Sequence, residues 1–560
     1  MNKRAHTKPS PLVICGSLFI PLMLACGLQG CASIDSGGYE NYMVAAIAHQ
    51  QKVDEGVVKT GVVVESGTKL KKMALAHSGV LRLSLGQALV RGLMDNSALR
   101  VQRYSPAIAR TNVLAARGVF DPVVTGSVSS TQARTPAGNT DSDNNSTTAQ
   151  AGISQFLPTG TTIAANAGTS INNGSGGAGQ ASDVNGALTI TQALLRGGNL
   201  QANLASIRSA KLGVSISKYE LRGVAQSTVY NIITAYWAYA LAQQNVSILQ
   251  SAVNVARQQM METKAFINVG RIAESQLPAS IAQLASEQQS LIAAQGTMQN
   301  ARLNLLQLIT PPQQAFWRRH LVLLNQPFVP AQQLAPVQEH VKIAMKMSPI
   351  INQTKLEIQQ GDLSVIQTRN GLLPRLDLFL AMGKTGYAND FGHAFDNLDG
   401  PGYSIGGGLS FSYPLLNRSA QAAYQGAELS RDQLEASLAN LVQTVELAVR
   451  NDYTTAQTDR RQIAAAIANT AAQAETLKAT QGQFRVGEAT SLQVAQAQTT
   501  LLSAQLTQAQ SVVNYLDALA TLYLEEGTLL DRSGLSSPGA YPLHWHGPVW
   551  LRRWPDGSGP

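Results

Sequence analysis

No proline occurs between Pro414 and Pro538. Proline breaks a helix interior, so its absence over such a length permits one very long helical run. Ser419 to Phe484 reads as Ala/Gln/Leu-rich helix, and Leu492 to Glu526 does the same. Gly487 is the break between them, because glycine takes positive φ and commonly ends a helix. Thr490 or Ser491 then caps the return helix. The stretch Gln483–Val494 is therefore the tip of a long antiparallel helical hairpin.

The same device occurs earlier. Phe266-Ile267-Asn268-Val269-Gly270-Arg271 resembles Phe484-Arg485-Val486-Gly487-Glu488, and aligning Gly270 on Gly487 also places Tyr236 on Tyr453. A second anchor pairs Gln192-Ala193-Leu194-Leu195-Arg196-Gly197 with Tyr413-Pro414-Leu415-Leu416-Asn417-Arg418. A third pairs Phe120-Asp121-Pro122 with Leu372-Leu373-Pro374. Each half runs helix, proline, β-like stretch, Leu-Leu turn, long helix, glycine tip, long helix. Three anchors in one order mark an internal duplication. Two Ala/Gln-rich coiled coils matching by composition alone is the alternative.

The expected boundaries follow. Residues 1–30 are an export signal, with Lys3, Arg4 and Lys8 ahead of the apolar run Pro11–Leu24. Leu28-Gln29-Gly30-Cys31 resembles a bacterial lipobox, making Cys31 the lipidation candidate; Cys26 competes more weakly, and cleavage without a lipid is the plain alternative. Residues 31–80 are a tether and 81–310 the first repeat, with its β region at 121–192 and its tip near 270. Residues 311–335 form a linker. The second repeat spans 336–532, with a β hairpin at 375–414 and its tip near 487. Residues 533–560 are a Trp-rich tail. Helices are expected over Leu81–Gly118 with a kink at Pro106, over Asn199–Asn268, over Ser275–Ile309 and over Val337–Arg369.

The β hairpin of the second repeat carries the membrane signal. From Tyr403 to Tyr413, Tyr403, Ile405, Gly407, Leu409, Phe411 and Tyr413 share one face. Ser404, Gly406, Gly408, Ser410 and Ser412 share the other. Apolar-out, small-and-polar-in alternation with an aromatic at each end is the pattern of lipid-facing barrel strands. Tyr403 and Tyr413 are the girdle candidates. A strand of a soluble sandwich is the competing reading. In the first repeat, Val123–Val128 and Ala187–Thr191 read as strands. The Ser/Asn/Gly/Thr-rich stretch between them holds a further hairpin, Gly152–Phe156 and Thr161–Ala167, as an extracellular extension or an added strand.

Two strand pairs give four spanning strands. An open sheet edge does not survive in lipid, and single-chain barrels begin at about eight strands. The chain must oligomerise, and three copies give twelve strands. The fold class expected is a mixed α and β membrane protein: a trimeric 12-stranded β-barrel continued by a long α-helical barrel.

Several classes are excluded. Only 14% of residues are charged and no basic stripe is interleaved with aromatics, so the net charge of +8 makes no nucleic-acid footprint. All three cysteines lie in the first 31 residues, which leaves the body without a disulfide framework or a cysteine metal site. The chain has no phosphate loop, no HExxH and no G-x-S-x-G. No catalytic residue, metal site or cofactor is expected, and His544 and His546 make no site by themselves.

The ensemble resembles the TolC family of outer-membrane efflux proteins, with the lipobox making it similar to the lipoprotein subunits of resistance-nodulation-division pumps. The residues that carry the resemblance are Leu83-Ser84-Leu85-Gly86-Gln87-Ala88-Leu89, Ala235-Tyr236-Trp237, Leu373-Pro374, Pro414-Leu415-Leu416 and Phe484-Arg485-Val486-Gly487-Glu488. Ala193 departs from it, standing where a proline is expected. The resemblance implies a passive homotrimeric conduit in the outer membrane of a Gram-negative bacterium, reaching into the periplasm. A periplasmic adaptor protein would dock on the tips, and an inner-membrane transporter would supply the energy. Carried onto this sequence, the adaptor-facing residues are Val269, Gly270, Arg271, Arg485, Val486, Gly487 and Glu488. Acidic gate residues of the family fall here on Gln493 and Gln496, and a ring of amides does not focus cations as carboxylates do. Arg271, Glu274 and Glu488 are the charged gate candidates. A type I secretion or polysaccharide conduit is the neighbouring reading; a coiled-coil surface or structural protein is the reading of another class.

Overall fold

The computed structural model describes residues 80–536, apart from 138–139, 175–180, 312–316, 318 and 332. The signal, Cys31, Cys26, nearly all of the tether and residues 537–560 lie outside the described residues.

Short elements open the first repeat: β1 (Leu81–Leu83), α1 (Leu85–Asp95), α2 (Ser97–Gln102) and α3 (Ser105–Arg117). The expected single kinked helix is thus a strand and three helices. Ser84 and Gln87 form a capping box that starts α1. The Asn96 backbone N–H closes α1 on the Gly92 carbonyl, and its side chain caps α2. Pro106 starts α3 rather than kinking it, because an N-terminal turn has no use for its missing N–H.

Four strands follow: β2 (Val123–Ala137), β3 (Thr140–Phe156), β4 (Thr161–Gly174) and β5 (Ala181–Ala193). After α4 (Leu200–Asn203) comes α5 (Ala205–Asn268), whose 64 residues span about 96 Å. It returns as α6 (Leu277–Ile309). The expected linker contains β6 (Leu321–Leu323), which pairs in parallel with β1.

The second repeat runs α7 (Val337–Met347), α8 (Pro349–Gly371), β7 (Arg375–Ala388), α9 (Phe391–Asp396) and β8 (Tyr403–Ser412). It continues with α10 (Arg418–Val486), α11 (Ser491–Glu525) and α12 (Leu529–Arg532). Pro349 splits the expected Val337–Arg369 helix into α7 and α8. The residue before a proline is pushed out of helical conformation, and Ser348 is extended.

The β elements form one antiparallel sheet in the order β2-β3-β4-β5-β7-β8. Against the four strands expected, the described residues form a sheet of six. The added hairpin is no appendage, since β3 pairs β4 from Asn144↔Gly174 to Phe156↔Thr162 and β4 pairs β5 from Asn172↔Ala181 to Thr161↔Gln192. Its weak sequence signal has a cause. Ala149, Ala151, Ala165 and Ala167 occupy face positions that Leu or Phe fill in β7 and β8, and alanine scarcely registers in a period-two pattern.

The helices pack side by side in a layer. In the upper half α3 lies on α5, α5 on α8, and α8 on α10. Toward the tips α6 lies on α5, α5 on α11, and α11 on α10. Where the two halves meet, Tyr236 is fully buried and its hydroxyl donates to the Leu83 carbonyl at 3.2 Å. The Tyr239 hydroxyl donates to the Leu321 carbonyl at 3.1 Å. These bonds seat the β1–β6 pair on α5.

Candidate functional site

The strand registers arrange the sheet residues in rows. One row runs Val124, Ile153, Ala165, Leu188, Met382, Ile405. The adjacent row, on the opposite face, runs Thr125, Gly152, Asn166, Ala187, Gly383, Ser404. The apolar face also carries Ile163, Ile190, Leu378, Leu380, Leu409 and Phe411, and nothing among the described residues covers them. Ile405 keeps 68% of its surface and Phe411 67%. A water-facing sheet would bury such a face. Tyr403 and Tyr413 stand at the two ends of β8 on this same face, both exposed. The ten residues of β8 cover about 25 Å of height when tilted by about 40°, which matches the apolar band of a membrane barrel.

All helix connections leave one end of this sheet. There the two Leu-Leu turns are again equivalent. Gly197 takes φ 89° before α4, and Asn417 takes φ 41° before α10. Asparagine is one of the few other residues that tolerates the left-handed region. Leu415 and Leu416 are exposed beside the sheet, as are Leu194 and Leu195.

At the far end of the helices the two tips meet. Gly270 (φ 74°) and Gly487 (φ 88°) turn the chain where a side chain would be strained. The Phe266 and Phe484 rings lie 5.8 Å apart, with Phe484 buried. The Arg271 guanidinium sits over the Phe266 ring and donates to the Arg485 carbonyl at 3.3 Å. Arg485 in turn lies 3.9 Å from Glu262 of α5. Ser491 grips the first tip, its hydroxyl 2.7 Å from Gln276 Oε1. Val269, Val486 and Glu488 are exposed around this joint.

The charged gate candidates are not paired with one another within the chain. Among the described residues, neither Glu274 nor Glu488 enters an ion pair, and Arg271 is held by a carbonyl and a ring. Gln493 has a local task, because its Oε1 accepts the Thr490 N–H at 2.7 Å and closes a capping box at the start of α11. Gln496 is exposed one turn further on.

Sequence reasoning missed the buried polar knot that joins the repeats at mid-height. Fully buried Glu526 bonds His340 of α7 and accepts from Thr528 at 2.8 Å and from Arg532 at 3.3 Å. Arg222 of α5, with no exposed surface, donates to Asp531 at 2.7 Å and to the Gly527 carbonyl at 3.2 Å. Gln226 donates to that same carbonyl. His340, Arg222 and Gln226 stand about 190 to 300 positions from the groups they meet, so no local motif announces them.

Comparison with solved structures defines the class. The outer-membrane channel OprN superposes with a TM-score of 0.61 at 18% identity, covering 79% of this chain and 89% of its own. The open-state MtrE outer membrane channel of Neisseria gonorrhoeae gives 0.57 at 15% identity, with 81% and 91% covered. The fold is that of an outer-membrane channel subunit. Residues 341–527 match the family described as outer membrane efflux protein. It is 23% identical over 458 residues to the outer membrane efflux protein BepC of Brucella suis biovar 1 (strain 1330), covering 80% of this chain and 86% of BepC. It is 26% identical over 335 residues to the outer membrane protein TolC of Escherichia coli (strain K12), covering 56% and 65%.

Proposed function

We propose that the chain is one subunit of a homotrimeric, passive outer-membrane conduit in a tripartite export system. It is lipid-anchored at Cys31 and built from the repeats 81–310 and 336–532. The carrying observation is apolar surface that the chain itself leaves uncovered at both ends of its helical layer. Ile108 and Leu114 of α3, Ile281 and Ile292 of α6, and Leu429, Leu447 and Ile467 of α10 are all exposed. Within the chain α3 and α6 both pack on α5, and α10 closes the opposite side of the layer. A neighbouring copy would set its α3 and α6 against the free side of α10.

The tips then hang together as the adaptor-facing rim, with Val269, Gly270, Arg271, Arg485, Val486, Gly487 and Glu488 in reach of an adaptor hairpin. The inner-membrane transporter supplies the energy. The Arg271–Arg485 contact holds the tips closed, and an iris-like outward movement of the hairpins opens them.

Heat-modifiable gel mobility, cross-linking of the membrane fraction and single-channel recording test this together. A detergent-stable trimer with small, stable conductance is expected; a soluble monomer without pore activity overturns it. Arg271→Ala combined with Glu488→Ala is expected to raise the open probability, and unchanged conductance traces would remove both residues from gating.

A further inference from the structure

We infer that the membrane segment of this conduit is an eighteen-stranded barrel as wide as the helical tube beneath it, so that the outer membrane imposes no narrowing on the cargo. The inference deepens the proposed function and rests on its trimer. It starts from the sheet itself, which has six strands per chain.

The added β3–β4 hairpin meets every requirement of barrel wall. It is hydrogen-bonded along its length on both sides. Its side chains obey the same division, with Ile153, Ile163 and Ala165 on the apolar face and Gly152, Asn166 and Gly168 on the polar one. Its turn is fastened at the helix end of the sheet. The Gly160 carbonyl accepts from the Ala193 N–H at 3.0 Å, the Thr159 carbonyl from Gln192 at 3.0 Å, and the Pro158 carbonyl from Asn203 at 3.0 Å. Gly160 takes φ 83°, and a Cβ there would lie 2.2 Å from the Gly197 carbonyl oxygen. The turn therefore belongs to the Leu-Leu junction.

Closure follows from direction. The strands alternate from β2 to β8, so the two open edges run antiparallel to each other. A second copy can continue the meander by setting its β2 beside β8. Inserting a hairpin adds two strands and preserves that parity, whereas one added strand would destroy it. Lipid tolerates no open edge, so each edge must take such a partner.

Width then decides the shape of the tunnel. Strands about 4.8 Å apart and tilted about 40° each occupy about 6 Å of circumference. Six occupy about 38 Å, and four would occupy about 25 Å. Four helices at about 9.5 Å also occupy about 38 Å. The helical layer is four helices wide at both levels. Six strands thus match the helical wall of the same chain, while four would force a taper. Three copies give a backbone radius of about 18 Å, against about 12 Å for twelve strands. The lining is largely hydroxyl, amide and glycine, including Thr125, Gln150, Asn166, Asn185, Thr189 and Ser404, with Asp183, Arg375, Asp377 and Phe379 on the same face, which suits hydrated cargo.

Neutral polymers of graded size, added from the side away from the helices during single-channel recording, measure the lumen at the barrel. The comparison is the full chain against a variant lacking residues 140–174, in which β2 can meet β5 directly. The full-length channel is expected to admit polymers that the deletion variant excludes. An equal size limit in two conducting trimers overturns the wide barrel and leaves the conduit intact, whereas a full chain that forms no channel overturns the conduit itself. Should the deletion fail to assemble, single cysteines decide. In the full chain, Ile163→Cys is expected to react only with a lipid-soluble maleimide and Asn166→Cys with a water-soluble one; water-soluble labelling of both places the hairpin outside the wall and overturns the inference.

Discussion

The two repeats share an order of elements and divide the work unequally. The first supplies four strands of the sheet, the second two. At the tips the asymmetry reverses. The second tip has a capping box and an ordinary helix start at Ser491. The first passes through a short 3-10 turn, Glu274–Gln276, and α6 begins without a side-chain cap. It borrows its fastening from the second through Ser491 and Gln276. Buried carboxylates differ as well. Burial raises Asp362, Asp452, Asp459, Asp517 and Glu525 in the second repeat, with Asp452 adding to the shift at Glu525. The first repeat has Asp95 and Glu287. Duplication preserved the path of the chain, and each copy then acquired its own way of satisfying it.

The largest test of that asymmetry is the knot at the end of the second repeat. Glu526→Ala leaves His340 and Arg532 without their buried partner, and a loss of about 3–5 kcal/mol is expected, read from denaturant unfolding. Glu526→Gln should retain part of the network and lose less. A change under about 1 kcal/mol for Glu526→Ala would mean that the knot is not what ties the repeats.

Next come the equivalent tyrosines. Tyr236→Ala empties a fully buried site and orphans the Leu83 carbonyl, so about 3–4 kcal/mol is expected. Tyr453→Ala, at the matching position, removes a half-buried ring beside His340 and should cost roughly half as much. Equal losses in thermal unfolding would show the two positions to be energetically interchangeable.

A smaller effect is expected from Asp517. Burial pushes this carboxyl up to about 7, and its Oδ1 has no hydrogen-bond partner among the described residues. The unfolded chain ionises the group near its ordinary value of about 4, while the folded chain holds the proton to about 7. Stability therefore falls as pH rises between those values and levels off above them. Asp517→Asn should flatten the slope and raise the melting temperature at pH 8 but not at pH 4. The same slope in both proteins would assign it to the other carboxyls that burial raises, Asp95, Glu287, Asp362, Asp452, Asp459 and Glu525.

The smallest effect is local. Thr490→Ala removes the cap of α11 and should cost about 1 kcal/mol, seen as faster amide exchange over the first turn of that helix. Because Gln276 depends on Ser491, exchange at the start of α6 should quicken too. The reverse experiment, Ser275→Ala in the uncapped first tip, should leave both helices unchanged.

The long helices, their glycine tips, the Leu-Leu junctions and the membrane face of β7 and β8 were legible in the residues alone. Each rests on a local cause: absence of proline, positive φ at Gly270 and Gly487, or alternation of large apolar side chains with small polar ones. Those signals need only neighbours along the chain. The added hairpin, the β1–β6 pair and the knot of Arg222, Gln226, His340, Glu526 and Asp531 were decided by tertiary structure. An alanine-rich strand joins a sheet only when flanking strands offer it hydrogen bonds. Leu81–Leu83 becomes a strand only when Leu321–Leu323 arrives beside it. A buried arginine is tolerated where groups from the other repeat meet it, here the Asp531 carboxylate and the Gly527 carbonyl, because they offset the cost of taking its charge out of water.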